Sequence, residues 1–559
     1  MSDSLIIEGA TLIDGNGGSP RKNVVIRVSD GRISGVDQTP SSGAGRDRGQ
    51  VIDARGKTVI PGLWDAHVHY HDWMAELYIR YGVTSILDTG NYADWILAQR
   101  DGIAKGKIPG PRIFACGNAL GNHEVFRGGG TALMLDGPED TRRKTQRLIE
   151  QGVDAIKVWA FADDAETRAA CDVAHLAGRK AVAHLVSSAR EAVLAGIDCL
   201  AHATGLPMAA VKDSELAKWM VERERDRILA IADLRRGSTT AWALFAMMDE
   251  DTFDGLIDFF LEHETRIEPD FIYRWVFASR SREKYEEEDL HLLEQPSLRY
   301  APEYPRLRIP EAWYGLRRLG PEQRDELARG YEKFCIFFNR FAERGGKILA
   351  GSDSSSWPMV GVNLHRELEL MVEAGLSPME ALVAATRNPA EFLGRAKDMG
   401  TVEPGKIADM LVINGDPLAD IRATQRIELV IKDGRIMERE LHPDYMNPIP
   451  RPALGMVHSF PVASVASVQP NGATEGDPDL AIIVEGVGFV SESVVAFDGV
   501  TIPTKCVSPT RLEATIPGYL FGRPGTFAVY VINPRPLRIT DWFHQDERSN
   551  PVYFLVKFA

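Results

Sequence analysis

Two histidines two residues apart, His67 and His69 in WDAHVHYH, are the first side chains able to share one cation. On a strand, residues i and i+2 point to the same face, so both imidazoles address one centre. The pair alone carries little weight, because 13 histidines in 559 residues give about 0.3 such pairs by chance. Four further residues add to it: Lys157 in DAIKVW, His184 in AVAHL, His202 in CLAHA and Asp353 in ILAGSD each close an apolar, strand-like run. Taken singly, each is more often a satisfied structural residue. Taken together they match a βα barrel, which assembles its active site from the C-terminal ends of several strands. Imidazole-rich ligation suits zinc and other transition metals better than calcium. A metal so held acidifies a bound water and polarises a carbonyl, so the chemistry indicated is metal-hydroxide attack on a carbonyl, that is, hydrolysis.

The elements that must carry these residues are legible as alternating short apolar runs and longer helical stretches such as TRRKTQRLIEQG and SAREAVLAG. Eight strand candidates follow one another: TVIPGLWDAHVH, VTSILD, RIFACG, DAIKVW, KAVAHL, DCLAHA, RIEPDFI and KILAGSD. The pattern predicts an α/β fold with a (β/α)8 TIM-like barrel over residues 61–395. Between residues 210 and 345 charged stretches such as EKYEEEDLHLLEQ read as exposed helices or an inserted lid. Residues 1–60 and 396–445 are short strands with Gly-rich turns, predicting a small composite β-sandwich from both flanks. NPIPRPALGMVHSFPV, around residues 446–462, suits a linker. Residues 460–559 alternate strand and turn at the spacing of an immunoglobulin-like β-sandwich.

A net charge of −15 supplies no basic field for a phosphate backbone, so nucleic acid is not an expected partner. No run is long and apolar enough for a bilayer, and the first residues lack the features of a secretion signal. Cys116, Cys171, Cys199, Cys335 and Cys506 show no CxxC spacing, against a disulfide framework or a thiolate zinc site. A cytoplasmic homo-oligomer acting on a small-molecule substrate is expected.

Over about residues 5–435 the chain resembles the amidohydrolase superfamily, near its imidazolonepropionase-like and prolidase-like branches. The motifs that carry the resemblance are VIPGLWDAHVH, GVDAIKVW, AHLVSSAREAVLAGIDCLAH, GSDS, HRELELMVEAGLSPMEALVAATRNPA and GTVEPGKIADMLVINGDPL. It implies two divalent ions, zinc for preference, with His67, His69 and Asp353 on one and His184 and His202 on the other. Lys157, carboxylated, would bridge them. An ordinary lysine, with a pKa near ~10.4, is a cation and binds no metal. Desolvation and nearby metal charge lower that pKa and expose an amine that captures carbon dioxide. Asp353 would be the catalytic proton carrier. His123, in the loop GNHEVFRGGG, would meet substrate by the same resemblance, and Tyr70, Arg127 and Tyr273 have groups suited to a substrate carboxylate. Asp65 either orients a ligand or caps a turn. His71 reads as a loop residue, His365 as structural, and His175, His263 and His291 as helix or surface histidines. AHLV and AHAT depart from the commoner HAHG and EHG wording and leave substrate identity open. Residues from about 460 resemble an IPT/TIG domain, implying an interaction or spacer module. The expected activity is hydrolysis of a small amide such as an N-acyl amino acid, dipeptide or cyclic amide. Ester or lactone hydrolysis on the same site, and a non-catalytic scaffold, are the alternatives.

Overall fold

The computed structural model describes residues 4–37, 49–121, 131–232, 242–294, 313, 319–354, 360–442, 445–450, 463–533 and 547–559. They form two units, the larger holding most of residues 1–452 and the smaller built on residues 453–559. Among the described residues no helix is long and apolar enough to cross a membrane.

The larger unit opens with β1 (Leu5–Leu12), β2 (Arg21–Ser29), β3 (Arg32–Asp37), β4 (Gln50–Asp53) and β5 (Lys57–Pro61). The strands that follow are β6 (Leu63–Val68), β7 (Val83–Asp88), β8 (Arg112–Ala115), β9 (Ala119–Gly121), β10 (Ala132–Met134), β11 (Ala155–Ala160), β12 (Lys180–Leu185), β13 (Cys199–Leu200) and β14 (Arg266–Ile267). After the last helices come β15 (Met410–Asn414), β16 (Ile427–Lys432) and β17 (Arg435–Met437).

Both flanks share one sheet, in the order β17-β16-β15-β5-β1-β2-β3 with β4 beside β1. Ile7, Ile26, Val59, Met410, Val412 and Ile431 meet in its core, which explains why two segments so far apart in sequence carry the same alternation. The run expected as a single strand, TVIPGLWDAHVH, is divided at Gly62 between this sheet and the next. A Cβ there would stand 2.3 Å from Thr84 Oγ1, so only glycine allows the backbones to cross so closely.

From β6 to β14 the pairing is parallel. One sheet is β6-β7-β8 and another β10-β9-β11-β12-β13-β14. Backbone bonds join them: Asp154 N–H donates to Ala115 O at 2.8 Å, Leu349 N–H to Ile267 O at 3.1 Å, and Ala66 N–H to Ala350 O at 2.9 Å. Every residue of β6, β7 and β11 is buried, as parallel strands covered on both faces require. Trp64, Leu87, Phe114, Ala155, Val182, Cys199 and Leu349 form one core cluster. Lys157 lies two residues beyond Ala155 and His184 two beyond Val182, so both stand on the same strand faces as that core. The helix Asp164–Leu176 starts on a reciprocal cap, Glu166 N–H to Asp163 Oδ1 at 2.8 Å and Asp163 N–H to Glu166 Oε2 at 3.1 Å.

The charged region 210–345 is better anchored than its sequence suggests. Helices Phe253–Glu262 and Pro321–Glu343 bury Phe253, Phe260, Phe334, Phe337 and Phe341 completely. The helix Arg282–Glu294 turns Tyr285 and Asp289 inward at i,i+4, and Asp289 accepts a hydrogen bond from the fully buried Arg366 at 2.5 Å. The expected linker also begins inside the larger unit: Trp95 Nε1 donates to Ile449 O at 3.0 Å and Gln99 Nε2 to the same oxygen at 2.6 Å. Its remainder, residues 451–462, lies outside the described residues.

The smaller unit has two sheets. Strands Ser464–Gln469, Leu480–Val487, Arg511–Ile516 and Thr504–Ser508 form one, and Gly472–Thr474, Val552–Lys557, Gly525–Asn533, Val494–Phe497 and Val500–Ile502 run in that order through the other. Val484, Leu512 and Ile516 from the first meet Phe497, Phe527, Val529 and Phe554 from the second in a single core, the result of alternating inward residues.

Candidate metal centre

β6 delivers Asp65 and His67, both fully buried, and His69 follows one residue past its end. His67 Nδ1 lies 2.8 Å from Glu268 Oε2. His69 Nδ1 lies 3.2 Å from the Gly90 carbonyl, so the proton sits there and Nε2 faces Asp353 Oδ1 at 3.6 Å. His184 is the penultimate residue of β12, and His202 occupies the single 3₁₀ turn that follows β13. The His202 ring centroid is 4.5 Å from that of His67 and 4.8 Å from that of His184. Donor atoms of His67, His202 and Asp353 lie within 4.8 Å of one another. This grouping crosses the division implied by the family resemblance, which put His67 and Asp353 on one ion and His202 on the other.

Two carboxylates that sequence reasoning missed complete the cluster. Glu268 and Asp270, just past β14, are 1% and 0% exposed, and with His67 they form a second group of donors within 4.8 Å. Asp270 Oδ2 also meets His202 Nδ1. The signal was present in RIEPDFI, where two carboxylates two residues apart at a strand end repeat the spacing of HVH. Three cluster residues hold left-handed backbone: His202 at φ 55°, Asp270 at φ 46° and Asp353 at φ 46°. Such conformations cost about 1–3 kcal/mol each and cluster at functional sites. Gly351 makes room for the group, since a Cβ there would lie 2.0 Å from Glu268 Oε1 and 2.8 Å from His67 Cβ.

Burial dominates the electrostatics. It pushes the Asp65 carboxyl up to about 8 and lifts Glu268 well above the carboxylate range, with Asp270 adding repulsion. Burial likewise lowers the Lys157 ammonium, and it drives the His67 imidazole down, with Lys157 next in effect. Each charged form is disfavoured where it stands. His67 Nε2, Lys157 Nζ and Glu268 Oε1 are buried with no hydrogen-bond partner among the described residues, whereas buried polar atoms are ordinarily satisfied. Neutral imidazoles converging with several carboxylates fit a divalent transition metal.

Asp65 accepts hydrogen bonds from both the N–H and the hydroxyl of Ser352, next to Asp353, and from the N–H of His67 at 3.4 Å, so the same carboxyl braces the Asp353 segment and caps its own strand end. Of the substrate candidates, Tyr273 is half-buried with its ring 5.2 Å from His202. Tyr70 is fully buried between Tyr78 and Trp95 and offers no surface to a substrate. His123 and Arg127 lie outside the described residues. His71 is in a loop, His175 pairs with Asp198 at 2.8 Å, and His263 meets its own helix at Phe259 O. His291 is exposed on a helix, and His365 is fully buried away from the cluster, between Tyr81 O and Thr424 Oγ1.

Residues 332–437, which contain Asp353, match the Amidohydrolase family. The chain is 33% identical over 106 residues to an imidazolonepropionase of Geobacillus thermodenitrificans, covering 18% of this chain and 25% of that protein. Against an ochratoxinase of Aspergillus niger it is 26% identical over 203 residues, 28% of this chain and 42% of the relative. The chain thus spans about a quarter of the first relative and less than half of the second. In structure it is similar to a proposed prolidase from Bifidobacterium longum, with TM-score 0.55 and 27% identity over 78% of this chain and 94% of that one.

Proposed function

We propose that this chain, an enzyme of the hydrolase class, cleaves an amide bond of a small substrate with two divalent cations, zinc for preference, held by His67, His69, His184, His202 and Asp353. The observation that carries the reading is the convergence of four histidines and Asp353 at or just past the C-terminal ends of neighbouring parallel strands, with His67 Nε2 and Lys157 Nζ buried and unsatisfied among the described residues. The Amidohydrolase match supports the amide class. In this reading β6, β7, β8, β11, β12, β13, β14 and the segment 348–354 are the eight strands of one (β/α)8 barrel, supported by the backbone bonds that lead from Ile267 to Leu349 and from Ala350 to Ala66. The smaller unit, two sheets over a shared core, fits an immunoglobulin-like IPT/TIG interaction or spacer module.

A bound divalent cation supplies the Lewis acidity that polarises a carbonyl and acidifies water. The chain's own groups do the rest. Lys157, desolvated and so held toward its neutral amine, adds through Nζ to carbon dioxide, releasing one proton and leaving a carbamate with two oxygens and one negative charge. Asp353 is held in place by the Asp65–Ser352 bonds. It takes the proton from the attacking water as the new C–O bond forms, and returns it to the leaving nitrogen as the C–N bond breaks.

Metal analysis of the purified protein, paired with a hydrolysis screen of N-acyl amino acids, dipeptides, hydantoins and lactones, tests the reading. We expect bound zinc or a similar metal and turnover of at least one amide. Turnover of lactones alone would move the activity to esters. Absence of metal and of all turnover after zinc or manganese addition overturns it.

A further inference from the structure

We infer that Glu268 and Asp270 are positioning residues for the metal centre, Glu268 by a hydrogen bond to Nδ1 of His67 and Asp270 by standing against Nδ1 of His202, so that the opposite ring nitrogen of each faces the cation; the inference rests on the reading above. A neutral imidazole has one N–H and one lone pair, and the hydrogen bond at one nitrogen decides which is which. Glu268 Oε2 stands 2.8 Å from His67 Nδ1; as a carboxylate, the form a bound cation favours, it accepts from Nδ1–H and leaves the lone pair on Nε2. That Nε2 is the buried atom without a hydrogen-bond partner among the described residues. Asp270 Oδ2 stands against His202 Nδ1 as a close charge contact, which backs the ring from the side away from its Nε2.

The backbone of Glu268 serves the same end. Its N–H donates to Leu200 O at 3.0 Å, and its carbonyl accepts from Ala203 N–H at 2.9 Å. These bonds bracket His202 on both sides, so one residue pins the turn that carries His202 with its main chain and the ring of His67 with its side chain. The segment is anchored further on, where Ile272 N–H donates to the buried Glu367 at 2.7 Å.

The competing role is direct ligation. Donors in a tetrahedral zinc shell, at bonds of about 2.1 Å, stand roughly 3.4 Å apart. The 2.8 Å separation of Glu268 Oε2 and His67 Nδ1 is a hydrogen-bond distance instead. A carboxylate behind a ligating histidine is worth about 10- to 100-fold in metal affinity.

The test uses the full chain, Glu268→Gln, Glu268→Ala and Asp270→Asn. Cobalt(II) alone is titrated against a chromophoric chelator, the visible spectrum of the bound ion is recorded, and thermal unfolding checks the fold. Glu268→Gln keeps the shape and carries the test if Glu268→Ala does not fold. We expect unchanged stoichiometry and spectral shape, with cobalt affinity lowered about 10- to 100-fold in Glu268→Gln and Asp270→Asn, and further in Glu268→Ala. Loss of one whole equivalent with a changed spectrum overturns the inference by making these residues ligands, and affinities within twofold of the parent overturn it by making them bystanders. A parent protein that binds no cobalt fails the metal reading itself and is told apart at the first titration.

Discussion

Asp65 on β6 and Ser352 on the segment beside it are joined twice: the Ser352 N–H donates to Oδ1 at 2.9 Å, and the Ser352 hydroxyl donates to Oδ2. Ser352 precedes Asp353, whose left-handed backbone needs support from outside the loop. Asp65→Ala removes both acceptors and leaves a buried N–H unsatisfied. The expected result is metal affinity lower by about 10- to 100-fold and a depressed melting temperature. Asp65→Asn, which retains one acceptor, should fall between. Chelator competition and thermal unfolding measure the two effects, and equal affinity in all three proteins would refute the supporting role.

Gly351 is where the cluster is most tightly packed. A methyl group there meets Glu268 Oε1 at 2.0 Å, Asp270 Oδ1 at 2.7 Å and His67 Cβ at 2.8 Å. All three residues are 1% exposed or less, so none can swing into solvent. Gly351→Ala is therefore expected to cost about 1–3 kcal/mol or more in stability and to lower metal content together with it. A melting temperature equal to the parent's would show that the neighbours yield without strain.

The histidines were legible because chemistry and position coincide in them: HVH has the spacing of one strand face, and His184 and His202 end apolar runs. Glu268 and Asp270 had the same spacing, but acidic residues are common on surfaces, and only the fold shows that these two are buried behind His67 and His202. Gly62 was hidden for a different reason. It interrupts no alternation, yet Thr84 leaves room for nothing larger and the run divides between two sheets. The charged helix Arg282–Glu294 looked solvated because its anchor, Arg366, lies 77 residues from Asp289, beyond any local pattern. Tyr70 was a candidate substrate contact for its hydroxyl alone, and its ring is enclosed by Tyr78 and Trp95.

Asp353 is the test of proton handling. It sits 3.6 Å from His69 Nε2 and is almost fully buried. Asparagine preserves its shape and removes its capacity to carry a proton. Asp353→Asn should lower turnover of any substrate found in the screen by about 10²- to 10⁴-fold, with the melting temperature close to the parent's. Metal content measured alongside separates a lost proton carrier from a lost ligand. Near-normal turnover would remove Asp353 from the reaction.

His365 makes a prediction independent of the metal. It is fully buried, with Nε2 2.8 Å from Tyr81 O and Nδ1 2.9 Å from Thr424 Oγ1, and burial lowers its imidazole from 6.5 to about 4. The folded protein thus refuses a proton that the unfolded chain accepts near pH 6.5. Between those two values the unfolded state binds more protons, so stability falls as pH falls. The contribution is complete above pH 6.5 and lost through pH 4, about 3 kcal/mol at about 1.4 kcal/mol per pH unit. His365→Gln lacks the titrating group. Although less stable than the parent at pH 7, it should lose less on acidification, and the gap between the two proteins should narrow by about that amount from pH 7 to pH 4. Denaturant unfolding across the range measures the gap, and parallel pH profiles would place the acid sensitivity elsewhere.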